Sequence, residues 1–222
     1  MNAEGLILIA SVSVGIGILL ARKAGEKLRL PVATLAIALV TLVVGVLVLF
    51  DPVLLAALRR TDGFFAGEWW RIITPLFAQD GGWFGLVFNL VTLVVVGALF
   101  ESAFGWRMLL VTYFAAGLLS EVAAYTVLPG QGFAGNSVAN FGLAGMLAVV
   151  ALTLEVPARA LGVISLAGGV FLLAHGLFIF DPPDLHAVGY FTGAAIGLIY
   201  LFVRRARTRP RPEPAPAESV AP

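Results

Sequence analysis

Cysteine is absent from this 222-residue chain, which excludes disulfides, thiolate nucleophiles and metal sites built on Cys. Charged residues are also scarce, at 12% of the chain against about 25% in ordinary soluble domains. The net charge of +1 gives no reason to expect a nucleic acid as partner. In contrast, 60% of the residues are hydrophobic and the mean hydropathy is +0.99. The composition therefore predicts an integral membrane protein.

Seven apolar runs are long enough to cross a bilayer core of about 30 Å, which takes about 17–25 helical residues. Each must be a helix, because a membrane-spanning segment has to satisfy its own backbone hydrogen bonds. We therefore predict an all-α membrane protein with seven spans. The spans are Gly5 to Ala21, Val32 to Phe50, Trp83 to Phe100, Trp106 to Val127, Ser137 to Leu154, Ala158 to Phe180 and Leu185 to Val203.

The positive charges in the flanking segments indicate the orientation of the spans. Four groups of Lys and Arg fall on one side if all seven spans cross, and that side is predicted to be the cytoplasm. The first span has no basic segment before it and no small-residue cleavage site, so we expect an uncleaved anchor in the cell membrane with its N-terminus outside. The four groups are Arg22, Lys23, Lys27 and Arg29; Arg107; Arg159; and Arg204, Arg205, Arg207, Arg209 and Arg211.

Two segments depart from this simple pattern of spans. The longest connection, residues 51–82, lies outside in this topology although it carries Arg59, Arg60 and Arg71. Its many aromatic residues predict that it lies partly in the outer leaflet, where Trp is favoured. The tail, residues 204–222, is rich in Arg and Pro and is predicted to be disordered in the cytoplasm.

Polar residues gather at the outer ends of the third, fifth and seventh spans, which all run in the same direction. Ser137 opens the fifth span, His186 is second in the seventh, and Asn89 lies about two turns into the third. Below His186 comes a stripe of glycines, Gly189, Gly193 and Gly197, of the kind that lets membrane helices approach closely. We therefore expect the fifth and seventh spans to pack tightly and to bring the imidazole near the hydroxyl.

A serine beside a histidine has the groups that acyl transfer requires. The imidazole takes the hydroxyl proton and later returns it to the leaving amine. The backbone N–H of Ser137 and the amide of Asn89 can stabilise the developing oxyanion. Taken singly, Ser137, His186 and Asn89 are each explained as well by helix packing. A site of this kind below the outer surface suits cleavage of transmembrane segments.

Four segments resemble the rhomboid family of intramembrane serine proteases. These are "EWWRIITPLF", "FGLVFNLVTLVVVGALFE", "GNSVANFGLAG" and "LHAVGYFTGAAIG", and the resemblance covers residues 32–203 in the family's order. It implies a six-helix core preceded here by one extra helix, no cofactor, and a Ser-His dyad without a third acidic member. We accordingly divide the chain into residues 1–31 (extra helix and basic loop), 32–203 (rhomboid-like membrane domain) and 204–222 (tail).

The resemblance assigns roles to individual residues. It implies that Ser137 is the nucleophile, His186 the general base and acid, and Asn89 an oxyanion donor. Phe141 matches the aromatic residue that packs against the catalytic histidine. Arg71 and Glu101 match structural positions.

Two positions depart from the family pattern. Gly85 stands where the family has a second oxyanion donor, a histidine, and Val138 stands where a glycine follows the serine. Loss of one donor costs on the order of 10²–10³ in turnover in other hydrolases, so we predict a slow endopeptidase. The alternative is a catalytically inactive rhomboid-like protein that binds or escorts membrane clients. A transporter or scaffold is a third possibility, although no duplicated halves are evident.

Other chemistry-bearing residues receive structural interpretations. His175 matches no catalytic position. Glu121 is expected to be protonated or paired with a neighbouring helix, with a role in substrate gating as the alternative. Asp184 lies two residues before His186, where it can bias the protonation of the histidine, but it is expected to be a solvated loop acid. No H-E-x-x-H motif occurs and no aspartate falls within a span, which excludes the metallo and aspartyl classes of intramembrane protease. The expected partners are transmembrane substrates and the lipid bilayer, and no metal is expected.

Overall fold

The structure, a computed structural model, describes residues 3–24, 30–178 and 184–208. Its regular elements are helical, which confirms the all-α prediction for these residues. A π-helical segment, Leu93–Gly97, joins α4 to α5 and makes them one continuous rod. The α-helices are α1 (Ala3–Ala24), α2 (Val32–Phe50), α3 (Pro52–Leu58), α4 (Gly82–Thr92), α5 (Ala98–Phe104), α6 (Trp106–Val127), α7 (Ser137–Ala151), α8 (Ala158–Phe178) and α9 (Leu185–Thr208).

Six helical segments among the described residues are long and apolar enough to cross a membrane. The predicted fifth span is shorter than expected, because α7 ends at Ala151 rather than Leu154 and has only 15 residues. All 15 are buried, so α7 is surrounded by protein and its length need not match the bilayer. The chain is a multi-pass membrane protein, and the count of seven spans stays a prediction.

One predicted boundary differs from the structure, and another lies outside the residues that the structure describes. Helix α9 continues to Thr208, so residues 204–208, which were assigned to a disordered tail, are helical instead. The helical periodicity continues there because exposed arginines suit the last turns of a helix. Residues 209–222 and the predicted end of the sixth span at Phe180 lie outside the part that the structure describes.

Helix α7 is at the centre of the bundle. It packs against α1, α6, α8 and α9 and against the π-helical segment, and its contact with α9 is the most extensive. The two backbones approach so closely that a Cβ on Gly193 would overlap the carbonyl oxygen of Gly142. This confirms the predicted close packing of the fifth and seventh spans, and it brings the first turns of α7 and α9 together.

The connection between α2 and α4 is held in place by Arg71. It consists of α3 followed by short 3₁₀ turns. The Arg71 guanidinium donates to the carbonyls of Ala56 and Arg59 at 2.7 and 2.8 Å and to the Glu68 carboxylate at 2.7 Å. Arg71 is buried, and its five donors make it suited to bind several carbonyls at once. It has the structural role that was predicted.

Glu101 ties α5 to the start of α2. Its carboxylate accepts the backbone N–H groups of Ala33 and Thr34 at 3.2 and 2.8 Å and the hydroxyl of Thr34 at 2.8 Å. These N–H groups lie in the first turn of α2, where they have no intrahelical acceptor. Glu101 therefore also has the structural role that was predicted.

A buried ion pair joins the connection between α2 and α4 to helix α6. The Arg60 guanidinium donates to Glu121 at 3.1 Å, and the two side chains are 2% and 0% exposed. Arg60 also donates to the Gln131 carbonyl at 3.1 Å and lies 5.6 Å from the Phe133 ring centroid. Glu121 is thus paired, as predicted, but its partner lies in the loop after α3 and not on a neighbouring helix. Because Arg60 is neutralised, it does not act as a free positive charge in a loop predicted to lie outside.

Loss of one partner of this pair should destabilise the fold severely. Arg60→Met leaves the buried Glu121 carboxylate without its partner, and we expect a loss of about 3–5 kcal/mol. The double variant Arg60→Met with Glu121→Met should recover most of that loss, because it leaves no charge unpaired. Thermal unfolding of the purified protein in detergent measures both effects.

Arg59→Met is the matched control, since Arg59 is 35% exposed and lies 3.9 Å from its partner Asp80. Its effect should stay below about 1 kcal/mol. A double variant as unstable as Arg60→Met alone would contradict this account of the ion pair.

Candidate active site

Ser137 and His186 meet where α7 and α9 begin. The Ser137 Oγ lies 2.8 Å from the His186 Nε2, within hydrogen-bond distance. Both side chains are buried, at 9% and 6% exposure. Ser137 is the first residue of α7 and His186 the second of α9, so the packing of these two helices sets the distance between them. The juxtaposition predicted from the sequence is present in the structure.

Asp184 adds a third group to this pair. Its Oδ1 lies 2.6 Å from the His186 Nδ1 and also accepts the His186 backbone N–H at 2.9 Å. The carboxylate is only 15% exposed. The expectation of a solvated loop acid was therefore wrong, whereas the Ser-His dyad stays a prediction. The cause is local: Asp184 directly precedes α9, and its carboxylate accepts the backbone N–H of His186 while it also reaches the ring of that residue.

The charge state of Asp184 defines the tautomer of the histidine. Burial raises the pKa of this carboxyl, but hydrogen bonds from the imidazole and the backbone N–H, with the imidazolium charge, outweigh burial. The pKa of Asp184 therefore lies below its ordinary value of 3.8. A carboxylate can only accept, so the Nδ1 of the neutral ring must carry the proton and donate it. The Nε2 is left as the acceptor for the Ser137 hydroxyl, which is the arrangement that general-base catalysis needs.

Phe141 supports the imidazole from the side. Its ring centroid lies 5.2 Å from that of His186, with the two planes at 66°. Phe141 is one helical turn after Ser137, so it faces the same direction from α7. The predicted packing of this aromatic ring on the histidine is confirmed. Together with Asp184, it restricts the ring on two sides.

Val138 does not prevent the close approach of the helices. Its side chain is buried in an apolar cluster with Leu76 and Leu185. The glycine that permits close approach is on the facing helix: a Cβ on Gly189 would overlap the Val138 carbonyl oxygen. The departure from the family pattern at Val138 is thus accommodated by Gly189.

A chain of amides lies beside the serine. The Asn89 Nδ2 donates to the Gln79 Oε1 at 2.7 Å, and the Gln79 Nε2 donates to the Asn136 Oδ1 at 3.0 Å. Asn140 donates its amide to the backbone carbonyl of Asn89 at 3.1 Å. One N–H of Asn89 is therefore used by Gln79, which leaves its second N–H for the site. Sequence reasoning missed Gln79, because a lone glutamine in a loop carries no spacing signal.

A cavity of about 150 Å³ opens next to Ser137 and His186. At Gly85 it has free space, since a Cβ there would have no neighbour within 4 Å. At its rim, partial burial raises the pKa of Asp80, although the N–H of Ala134 and the charge of Arg59 act in the opposite direction. The lining residues include Leu6, Ile7, Gln79, Asp80, Phe84, Gly85, Phe88, Asn89, Phe133, Ser137 and His186.

His175 and the acidic side chains do not form a second site of this kind. His175 lies on α8 with its ring centroid 5.5 Å from that of Phe171, in agreement with a packing role. Within residues 3–24, 30–178 and 184–208, no three side chains among His, Asp and Glu come together as metal ligands. The groups that lie within hydrogen-bond distance at the candidate site are the serine, the histidine and the aspartate.

Two curated proteins are similar to part of this chain. It is 42% identical over 88 residues to Rhomboid-like protease 2 of Toxoplasma gondii, which covers 39% of this chain and 31% of the relative. It is 39% identical over 87 residues to Rhomboid protease GluP of Bacillus subtilis (strain 168), which covers 39% of this chain and 17% of the relative. The aligned region thus amounts to less than a third of either curated relative.

The Rhomboid domain family matches residues 66–207. That region begins in the connection after α3 and takes in α4 to α9, with Asn89, Ser137, Asp184 and His186. Because the match covers more than half of the chain and agrees with the helical fold, this protein belongs to the rhomboid family of intramembrane proteases.

Proposed function

We propose that this protein is a serine endopeptidase that cleaves transmembrane segments of other membrane proteins. Ser137 is the nucleophile, and His186 is the general base and acid. The observation that carries the proposal is the 2.8 Å hydrogen bond between the Ser137 hydroxyl and the His186 Nε2, in a buried site that opens to a cavity. The relatives named above are called proteases, which supports the same reaction class.

The reaction proceeds through an acyl-enzyme. The Ser137 Oγ forms a bond to the carbonyl carbon of the scissile peptide while its proton passes to the His186 Nε2. The tetrahedral intermediate collapses with cleavage of the C–N bond, and the Nε2 returns the proton to the leaving amine. Water then attacks the ester by the same sequence of proton transfers. It releases the carboxylic acid product and restores the serine hydroxyl.

Asp184 acts through the histidine and is a positioning residue. Its carboxylate holds the Nδ1 proton at 2.6 Å, which keeps the Nε2 free to accept the hydroxyl proton. It also stabilises the imidazolium that forms when that proton arrives. This third group supports an active enzyme despite the missing donor at Gly85.

The oxyanion is stabilised by two donors. Helix α7 begins at Ser137, so the backbone N–H of Ser137 has no intrahelical acceptor and can turn to the substrate oxygen. Asn89 supplies its second amide N–H, and Gln79 fixes the orientation of that amide. The Asn140 amide is engaged with the carbonyl of Asn89 and does not replace the missing histidine.

Substrates approach from the bilayer in this proposal, because the cavity is lined mainly by apolar groups such as Phe84 and Phe88.

The N-terminus lies outside and the C-terminal tail in the cytoplasm of a cell-membrane protein, as the flanking Lys and Arg predict. We retain residues 32–203 as the catalytic membrane domain. Residues 1–31 supply the extra helix and basic loop, and the chain after α9 is the tail.

The nucleophile can be tested without knowledge of a substrate. A fluorophosphonate should label the wild-type protein, and Ser137→Ala or His186→Ala should reduce labelling by about 10⁶-fold, which means to background. Ser120→Ala is the matched control, because Ser120 is also buried but donates to the Ala116 carbonyl. Equal labelling of wild type and Ser137→Ala would favour the non-catalytic, client-binding alternative.

Asp184→Asn should lower the labelling rate on the order of 10³–10⁴-fold at neutral pH, because the ring loses the acceptor that selects its tautomer. Asp184→Glu should restore part of the rate. In the wild type, Asp184 stays ionised down to its lowered pKa, so its protonation should cause no loss of rate above pH 3.8. Asp80→Asn is the control, since Asp80 lines the same cavity without contacting the histidine. An unchanged rate in Asp184→Asn would remove Asp184 from the mechanism.

Gly85→His should accelerate the enzyme. The open space at Gly85 can accept an imidazole beside Asn89, and a gained oxyanion donor is worth up to about 10²-fold in turnover. Gly85→Leu fills the same space without a donor and should give no gain. Cleavage of a reporter transmembrane substrate by both variants measures the difference, and an equal effect of His and Leu would contradict the role of a missing donor.

A further inference from the structure

Helix α1 reaches the candidate active site although it lies outside the matched rhomboid region. Its Leu6 and Ile7 line the cavity that contains Ser137 and His186, whereas the family match begins at residue 66. The other lining residues come from α4, from α7, from α9 and from the loops that precede α4 and α7. One wall of this cavity is therefore supplied by a helix that the family match does not include.

The position of α1 is fixed by packing on several neighbours. It contacts α8 on one side and α5 with the π-helical segment on the other, and it also contacts the central helix α7. Leu6 is 4% exposed and shares a buried apolar cluster with Phe141, which itself packs on His186. The first turns of α1 thus pack near Phe141, which contacts His186. Helix α1 is therefore part of the helix bundle.

We propose that the cavity is a subsite for one apolar side chain of the substrate and that α1, through Leu6 and Ile7, sets the size of the side chain accepted. This inference rests on the proposed function. The volume of about 150 Å³ is that of an apolar cavity that holds a benzene-sized group. Phe84 and Phe88 of α4 complete the apolar part of the lining, and Gln79, Asp80 and Asn89 supply its polar part together with Ser137 and His186.

A substitution at Ile7 tests this inference without changing Leu6 or Phe141. It lines the cavity, is 48% exposed, and is not a member of the buried cluster that contains Leu6 and Phe141. Its neighbour Leu8 is 49% exposed but does not line the cavity, because successive helical residues point about 100° apart. Leu8 is therefore a control of equal exposure, equal depth and similar volume.

The experiment compares two fluorophosphonates that differ only in a methyl or a benzyl group on phosphorus. In the labelling step, the Ser137 oxygen bonds to phosphorus, fluoride leaves, and the hydroxyl proton passes to His186. The measured quantity is the ratio of benzyl to methyl labelling rates on the full chain in detergent. Ile7→Ala should raise this ratio about tenfold and Ile7→Trp should lower it by a similar factor, since small changes in an apolar pocket change selectivity by about 10–200-fold.

The outcomes separate this inference from the proposed function. Leu8→Ala and Leu8→Trp should keep the ratio within about twofold of wild type, because they leave the pocket unchanged. If both reagents label the wild type but the Ile7 variants match the Leu8 variants, the role of α1 is overturned while the serine mechanism stands. If neither reagent labels the wild type, the proposed function is overturned and this inference with it.

Discussion

The contact between the backbones of α7 and α9 positions everything else in the site. Gly189 and Gly193 let α9 approach α7 until carbonyl groups occupy the space where a Cβ would lie. In a membrane such close packing contributes dispersion energy that lipid chains cannot supply as well. Since Ser137 and His186 begin these two helices, the distance between hydroxyl and imidazole depends on helix packing. A rigid separation of this kind is what a proton transfer over one hydrogen bond requires.

The polar groups around this contact form two hydrogen-bonded sets. Within each set the groups pair with one another, which lowers the free-energy cost of burying them. The first runs from Asp184 through His186 to Ser137. The second runs from Asn89 through Gln79 to Asn136, the residue before the serine. A buried polar group left unpaired costs about 1–3 kcal/mol, so each set is more stable complete than with a member removed.

The connection before α4 supplies part of both the scaffold and the site. Arg60 and Arg71 attach it to α6 and to its own carbonyls, and both are buried. Its last residues include Gln79, which orients Asn89, and Asp80, which accepts the Ala134 N–H at 2.8 Å. The ion pair with Glu121 therefore also stabilises the loop on which the oxyanion donor depends. Its arginines are structural groups and carry little information on membrane orientation.

The sequence predicts the helices from the length of the apolar runs. It also predicts that Ser137 meets His186, because the fifth and seventh spans run in the same direction and the glycine spacing below His186 favours close packing. It carries no signal for Gln79, and it leaves the role of Asp184 open, because the spacing to His186 does not show whether the carboxyl faces the ring or solvent. The length of α7 was overestimated for a related reason: an apolar run does not reveal whether it faces lipid or protein. Val138 also looked unfavourable only because its partner, Gly189, lies on another helix.

The position of α1 follows from no local signal either, and it separates specificity from chemistry. In the proposed mechanism the polar groups are Ser137 of α7, His186 of α9 and Asp184 directly before α9, whereas Leu6 and Ile7 contribute only apolar surface. An apolar wall can change in size without a change in charge or hydrogen bonding around the histidine. Leu6 has less freedom than Ile7, because it also packs in the cluster that holds Phe141. In this arrangement, the residue at the cavity wall that is not needed in the core is the one free to determine which side chain is accepted.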